Sequence, residues 1–109
     1  MTETEGSVRI APEVLATIVN LTAMSVPGIL AMAPIPHNRL LGMGQPDATR
    51  GVSIQVRDNA VEADLYVVVA HGINMVAVGN QVQQAVAQAI HDMLGMGVHR
   101  INVYIQGIE

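Results

Sequence analysis

Four histidines, His37, His71, His91 and His99, are the side chains best suited to general-base or metal-ligand work in this 109-residue sequence, and their spacing limits what they can do. Two imidazoles aim at one ion when they stand four apart on a helix or two apart on a strand. No pair among the four has either spacing. They read as solvated or locally hydrogen-bonded side chains. Asp58, Glu62 and Asp64 gather within one short stretch, and Glu62 and Asp64 share an alternation face. Acid/base catalysis needs paired carboxylates in a cleft that drives their pKa values apart, whereas an open strand with Arg57 opposite Glu62 offers solvation and neutralisation. Ser7, Ser25 and Ser53 stand in no nucleophile-elbow sequence, and none has a histidine beside it. The absence of cysteine removes a thiol nucleophile, a Cys-based zinc site and a disulfide framework. Gly42-Met43-Gly44 lets backbone amides approach an anion, but it lacks the Lys-Ser/Thr of a P-loop and the strand and helix that frame one. The expectation is a chain that is not an enzyme, with no catalytic, cofactor-binding or metal-ligating constellation.

Charge narrows the partners. The net charge is −4, and the cations are all arginines, Arg9, Arg39, Arg50, Arg57 and Arg100, scattered singly. Such a surface has little to offer a phosphate backbone, so nucleic acid is not an expected partner. Half of the residues are hydrophobic and 13% are charged, which suits a single domain with a substantial core. No apolar run reaches the roughly 18 to 20 residues of a spanning helix, and Met1-Thr2-Glu3-Thr4-Glu5 carries acid where a signal peptide carries positive charge. The expected location is the cytoplasm, without direct membrane insertion.

The elements that must position any site follow from pattern. Residues 1–7 read as a flexible lead-in, and 8–109 as one domain. Val8-Arg9-Ile10 alternates like a short strand. Pro12 and Glu13 open a helix to about Met24, with Val14, Leu15, Ile18, Val19 and Thr22 at helical spacing and Thr17 and Asn20 on other faces. Val26-Pro27-Gly28 ends it, and Ile29 to Met32 form a short extended piece. Residues 34–50 hold three prolines and two glycines without a sustained period, a loop longer than compact domains usually carry without a functional reason. Residues 51–58 and 61–71 alternate as a hairpin about Asn59-Ala60, a register that sets Val56 against Ala63, Ile54 against Leu65 and Arg57 against Glu62. A long helix over about 74–94 presents Met75, Val78, Val82, Val86, Ala89, Ile90 and Met93 on one face. Its polar face has no basic residue to meet anionic lipid. Glycines at 95 and 97 lead to a last strand, roughly Val98 to Gln106. Met24, Met75 and Met93 are expected to fill the core, and Met43 and Met96 to lie in exposed turns.

This order predicts an α+β fold, a small largely antiparallel sheet with two helices packed on one face. The uncovered face then carries Arg57, Glu62 and Asp64 at one end, and Tyr66, Val68 and Tyr104 toward the other. Amphipathic rings on a half-apolar face make Tyr66, Val68 and Tyr104 a candidate interface, with a homo-oligomer the expected assembly. Leu40, Leu41 and Met43 in the long loop form a second candidate docking element.

Val26-Pro27-Gly28, Gly51-Val52, Asp64-Leu65-Tyr66-Val67-Val68-Val69 followed by His71-Gly72, and the closing Met96-Gly97-Val98 and Ile101-Asn102-Val103-Tyr104-Ile105 together resemble the bacterial alkaline shock, or envelope stress response, protein family. The resemblance spans about Val8 to Ile108. Two departures are His71, where an aromatic residue is expected, and the lack of lysine. Membership implies a small cytoplasmic α+β protein, not an enzyme, that serves envelope homeostasis by self-assembly and by attachment beneath the membrane through a membrane-anchored protein partner. The alternative is a small-molecule-sensing regulatory domain of ferredoxin-like type, because strand, helix, two strands, helix and strand also build such modules.

Overall fold

The computed structural model describes residues 5–36 and 45–109. Helix α1 runs Pro12–Met24, with proline in its first turn and Glu13 at the positive end of the helix dipole. There follow β1 (Ile29–Met32), a 3-10 turn (Asp47–Thr49) inside the segment expected to be irregular, β2 (Val52–Arg57), β3 (Ala60–Val69), α2 (Met75–Leu94) and β4 (Gly97–Ile108). The Asn74 side chain caps α2 by accepting from the Ala77 N–H at 3.0 Å. Val8-Arg9-Ile10 is not a strand, and residues 5–11 carry no regular structure. No described strand pairs with them, and Ile10 packs on the core instead.

All pairing runs through β3. β4 lies parallel to it from Ala60 to Val69, while β2 pairs antiparallel with its first half and β1 with Val67–Val69. A strand has two edges, so β1 and β2 lie end to end along one and β4 takes the other. The sheet is largely antiparallel, as expected. Its one parallel pairing comes from α2, the crossover that returns the chain to the end where β3 began.

The hairpin exists, but its register is two residues from the expected one. The turn is Asp58-Asn59, with φ of 53° and 58°, and β2 meets β3 as Arg57 to Ala60, Val56 to Val61, Ile54 to Ala63 and Val52 to Leu65. A two-residue turn with both central residues in the left-handed region suits Asp and Asn, whereas the expected turn would have placed Ala60 there. A two-residue slip keeps every side chain on its face, so the division of the sheet into two faces stands.

The helices cover the face of Val61, Ala63, Leu65, Val67 and Val69, all buried. Leu15, Val19 and Ala23 of α1 and Val78, Val82, Val86 and Ile90 of α2 close over it. For Met24, Met75, Met93 and Met96 the burial is the reverse of the expectation, and Met43 lies outside the described residues. Met32 and Met96 are buried, whereas Met24, Met75 and Met93 are exposed, Met93 at 66%. The buried stripe of α2 advances in steps of four through Val78, Val82, Val86 and Ile90 to Leu94, which still packs on the core, and Met75 and Met93 fall beside it.

β1 gives way to β2 at a junction of backbones. Gly51 sits at φ 75°, and a Cβ there would lie 2.7 Å from both the Ala33 and the Tyr66 carbonyl oxygens. The Tyr66 N–H donates to the Gly51 carbonyl at 2.9 Å, and the Ala33 N–H donates to the Tyr66 carbonyl at 2.8 Å. The Gln45 side chain holds the approach by accepting from the Gly51 N–H and donating to the Thr49 and Val52 carbonyls. Asn20 of α1, only 7% exposed, donates to the Arg50 carbonyl at 2.9 Å. Its helical position had placed it away from the apolar face. It turns inward because a passing carbonyl needs a donor, and a buried amide needs that acceptor equally.

Candidate interface on the open sheet face

The even-numbered residues of β3 point away from the helices and stay half-buried. In the parallel ladder Asp64 stands beside Asn102 and Tyr66 beside Tyr104. Each pair makes contact. The Asn102 amide donates to Asp64 Oδ1 at 2.9 Å. The tyrosine rings stack with centroids 4.9 Å apart and planes 16° from parallel, within the offset geometry that adds about 0.5–1.5 kcal/mol to an aromatic pair. Toward the hairpin, Arg57 Nη2 reaches Glu62 Oε1 at 2.6 Å. This expected pair forms diagonally, since the true register sets Gln55 directly against Glu62. Toward the other end, Val68 lies beside Ala31 and Gly107, and with Ala33, Pro34, Pro36 and Gln106 it lines a depression of about 280 Å³.

Among the described residues the face thus runs from charged and satisfied to apolar and uncovered, with the tyrosine stack at the division. Tyr104 is 41% exposed. Burial, then the Asp64 carboxylate, then Tyr104 hold the Tyr66 phenol above the ordinary tyrosine value of 10.0. Its protonated form is favoured in the fold, so this contribution to stability is complete below the ordinary value and is lost as pH rises through the raised one. The chain has two tyrosines and no tryptophan, so a Tyr104→Phe variant leaves Tyr66 as the sole phenol in an ultraviolet titration. Its midpoint is expected above 10.0 and should fall when Asp64→Asn is added. A midpoint at or below the free value would refute the burial and charge argument.

The other candidates scatter. His71 follows β3, His91 lies in the last turn of α2, and His99 is on β4 with its Nε2 3.3 Å from the Arg57 carbonyl. His91 contacts Asp92, whose carboxyl lies below its ordinary value because the Gln88 amide and then His91 hydrogen-bond it. Asp64 and Glu62 are each held by their own polar partner rather than paired with each other. Among the described residues no group of three His, Asp or Glu is placed to hold a metal ion. Leu40, Leu41 and Met43, together with His37 and Gly42-Met43-Gly44, lie outside the described residues. Asn20 and Gln45, which fasten the chain where it enters β2, are not marked as structural by the sequence pattern. Only a buried polar position could have flagged Asn20, and periodicity does not reveal burial.

These features define a small α+β domain with one face of its sheet left open. A family model described as cell envelope-related in function, that of alkaline shock protein 23 (ASP23), matches residues 1–109. The chain belongs to this family. YqhY of Bacillus subtilis strain 168 is 31% identical over 108 residues, covering 95% of this chain and 78% of that protein. Spy1535 of Streptococcus pyogenes serotype M6 is 28% identical over 110 residues, covering 98% of this chain and 82% of that protein. Both are described as uncharacterized. Among solved structures, the copper form of MamM CTD aligns with a TM-score of 0.63 at 15% identity over 90% of this chain and 87% of that one. A zinc form of a MamM CTD variant gives 0.62 at 15% over 89% and 86%. At that identity the likeness establishes the α+β fold alone.

Proposed function

We propose that this protein is a non-enzymatic envelope stress response and scaffolding component, which acts at the cytoplasmic side of the membrane through self-association and contacts with a membrane-anchored protein partner. The observation that carries the reading is the Tyr66–Tyr104 stack beside Val68, on a sheet face that neither helix covers. Stacked aromatic rings, Tyr66 half-buried and Tyr104 exposed, bordered by satisfied polar groups have the composition of an interface core and its rim. Family membership supplies the envelope context. No described helix is long and apolar enough to cross a membrane, and this reading assigns attachment to a partner.

Tyr66→Arg or Tyr104→Arg should abolish assembly beyond the smallest species, read by light scattering coupled to size-exclusion chromatography over a wide concentration range. The circular dichroism of the folded chain should persist. Unchanged assembly in both variants would remove the open face from the argument. A second reading, a ligand-sensing regulatory domain, draws on the fold shared with MamM CTD, whose solved structures include zinc and copper forms. It requires zinc or copper to raise the melting temperature by mass action, and the lack of any shift at millimolar metal would reject metal sensing.

A further inference from the structure

β4 is the margin of the sheet, and among the described residues no strand pairs with its outer side. One of its edges pairs with β3. Apart from β3 and the turn before it, the described residues give the β4 backbone one hydrogen bond, from the Gln83 amide to the Ile101 carbonyl at 3.0 Å. A margin strand of 12 residues presents a row of N–H and C=O groups that templates another strand, and natural sheets guard such strands with lysine, proline or bulges. β4 contains neither lysine nor proline. Its two register shifts fall at His99 and Gln106, which leaves Arg100 to Ile105 regular. Beside this run α2 leaves a groove of about 230 Å³, lined by Met75, Val76, Gly79 and Gln83 on the helix and by Val103 and Ile105 on the strand.

We propose that β4 pairs antiparallel with β4 of a second copy about a two-fold axis through Val103, joining the two sheets into one. The proposal rests on the self-association reading above and assigns the seam to the strand margin. The order of residues is self-complementary about that axis. Ile101 meets Ile105, Asn102 meets Tyr104, and Arg100, the single charged residue of Gly97–Ile108, meets Gln106. Apolar residues oppose apolar ones on the helix side, polar residues oppose polar ones on the open side, and no like charges face each other. Moving the axis to Asn102 would set His99 against Ile105 and Val98 against Gln106. Because the two-fold stands perpendicular to the sheet, both pairs of helices lie on one side, and α2 approaches α2 over the groove. Gly79 has open space around its Cα and gives the helices room to close. The tyrosine stacks of the two copies then belong to one continuous open face.

The chain has no cysteine, so a single introduced thiol reports on the seam. With diamide as oxidant, Val103→Cys should form a disulfide-linked dimer roughly tenfold or more faster than Gln55→Cys on β2, because association raises the effective concentration of thiols at the axis. Should Val103→Cys disturb the core, mixing Asn102→Cys chains with Tyr104→Cys chains tests the same register from the open side. The mixture should cross-link more than either variant alone. Assembly seen by light scattering without either cross-linking preference would overturn the β4 seam while leaving self-association standing. A chain that stays monomeric at every concentration would overturn both.

Discussion

Gly51→Ala should lower the melting temperature by about 10–20 °C, from a loss of about 2–4 kcal/mol in a domain of this size. Two costs combine. The residue sits at φ 75°, where a Cβ meets its own carbonyl at roughly 1–2 kcal/mol. That Cβ would also lie 2.7 Å from the carbonyl oxygens of Ala33 and Tyr66, backbone atoms of which the Tyr66 oxygen already accepts from the Ala33 N–H. Gly72→Ala separates the two costs, since Gly72 has φ 83° but nothing within 4 Å of the new Cβ. It should lose only the conformational part, about 1 kcal/mol. Thermal unfolding by circular dichroism checks both, and equal shifts for the two variants would refute the three-backbone junction as the source of the larger effect.

Leu65→Ala should cost about 3–5 kcal/mol, the upper part of the range for deleting a fully buried leucine whose surroundings cannot collapse. Leu65 is 0% exposed, at the middle of β3 and inside the cluster that both helices close over. Val52 on one neighbouring strand and Val103 on the other flank it in register, so the cavity is walled by ladders rather than by mobile side chains. Val56→Ala, at the exposed end of β2, should stay within about 0.5 kcal/mol. Urea unfolding with an unchanged m-value gives the comparison directly. A Leu65→Ala loss below that of an exposed valine would overturn the core assignment.

How far the fold could be read in advance depended on whether a feature was local. The bounds of α1 were legible because Pro12 and Pro27 act on their own neighbours, and α2 because its period holds over twenty residues. The two faces of the sheet were legible from alternation alone, which is why Tyr66 and Tyr104 are expected on the same face, whereas their adjacency follows from the β3–β4 register. Register was less so. Alternation is blind to a slip of two, and only the demand for two left-handed residues chooses Asp58-Asn59 over Asn59-Ala60. The parallel sense of β4 leaves no mark on its own residues, since it follows from where α2 delivers the chain. Asn20 lay beyond reach for a related reason. Its partner is a carbonyl thirty residues away, and a helix pattern registers a polar residue as outward whether or not such a carbonyl passes by.

That every strand is bonded to β3 also orders how the chain can come together. The β2–β3 hairpin closes over two residues and forms on the timescale of microseconds. β1 must instead find residues about 40 positions away, and β4 must return across the whole of α2. Each of these closures costs conformational entropy before any contact offsets it, a cost that grows as the logarithm of the separation. The hairpin therefore supplies the template on which the distant pieces dock. α2, by forming as a rod, shortens the search that β4 has to make.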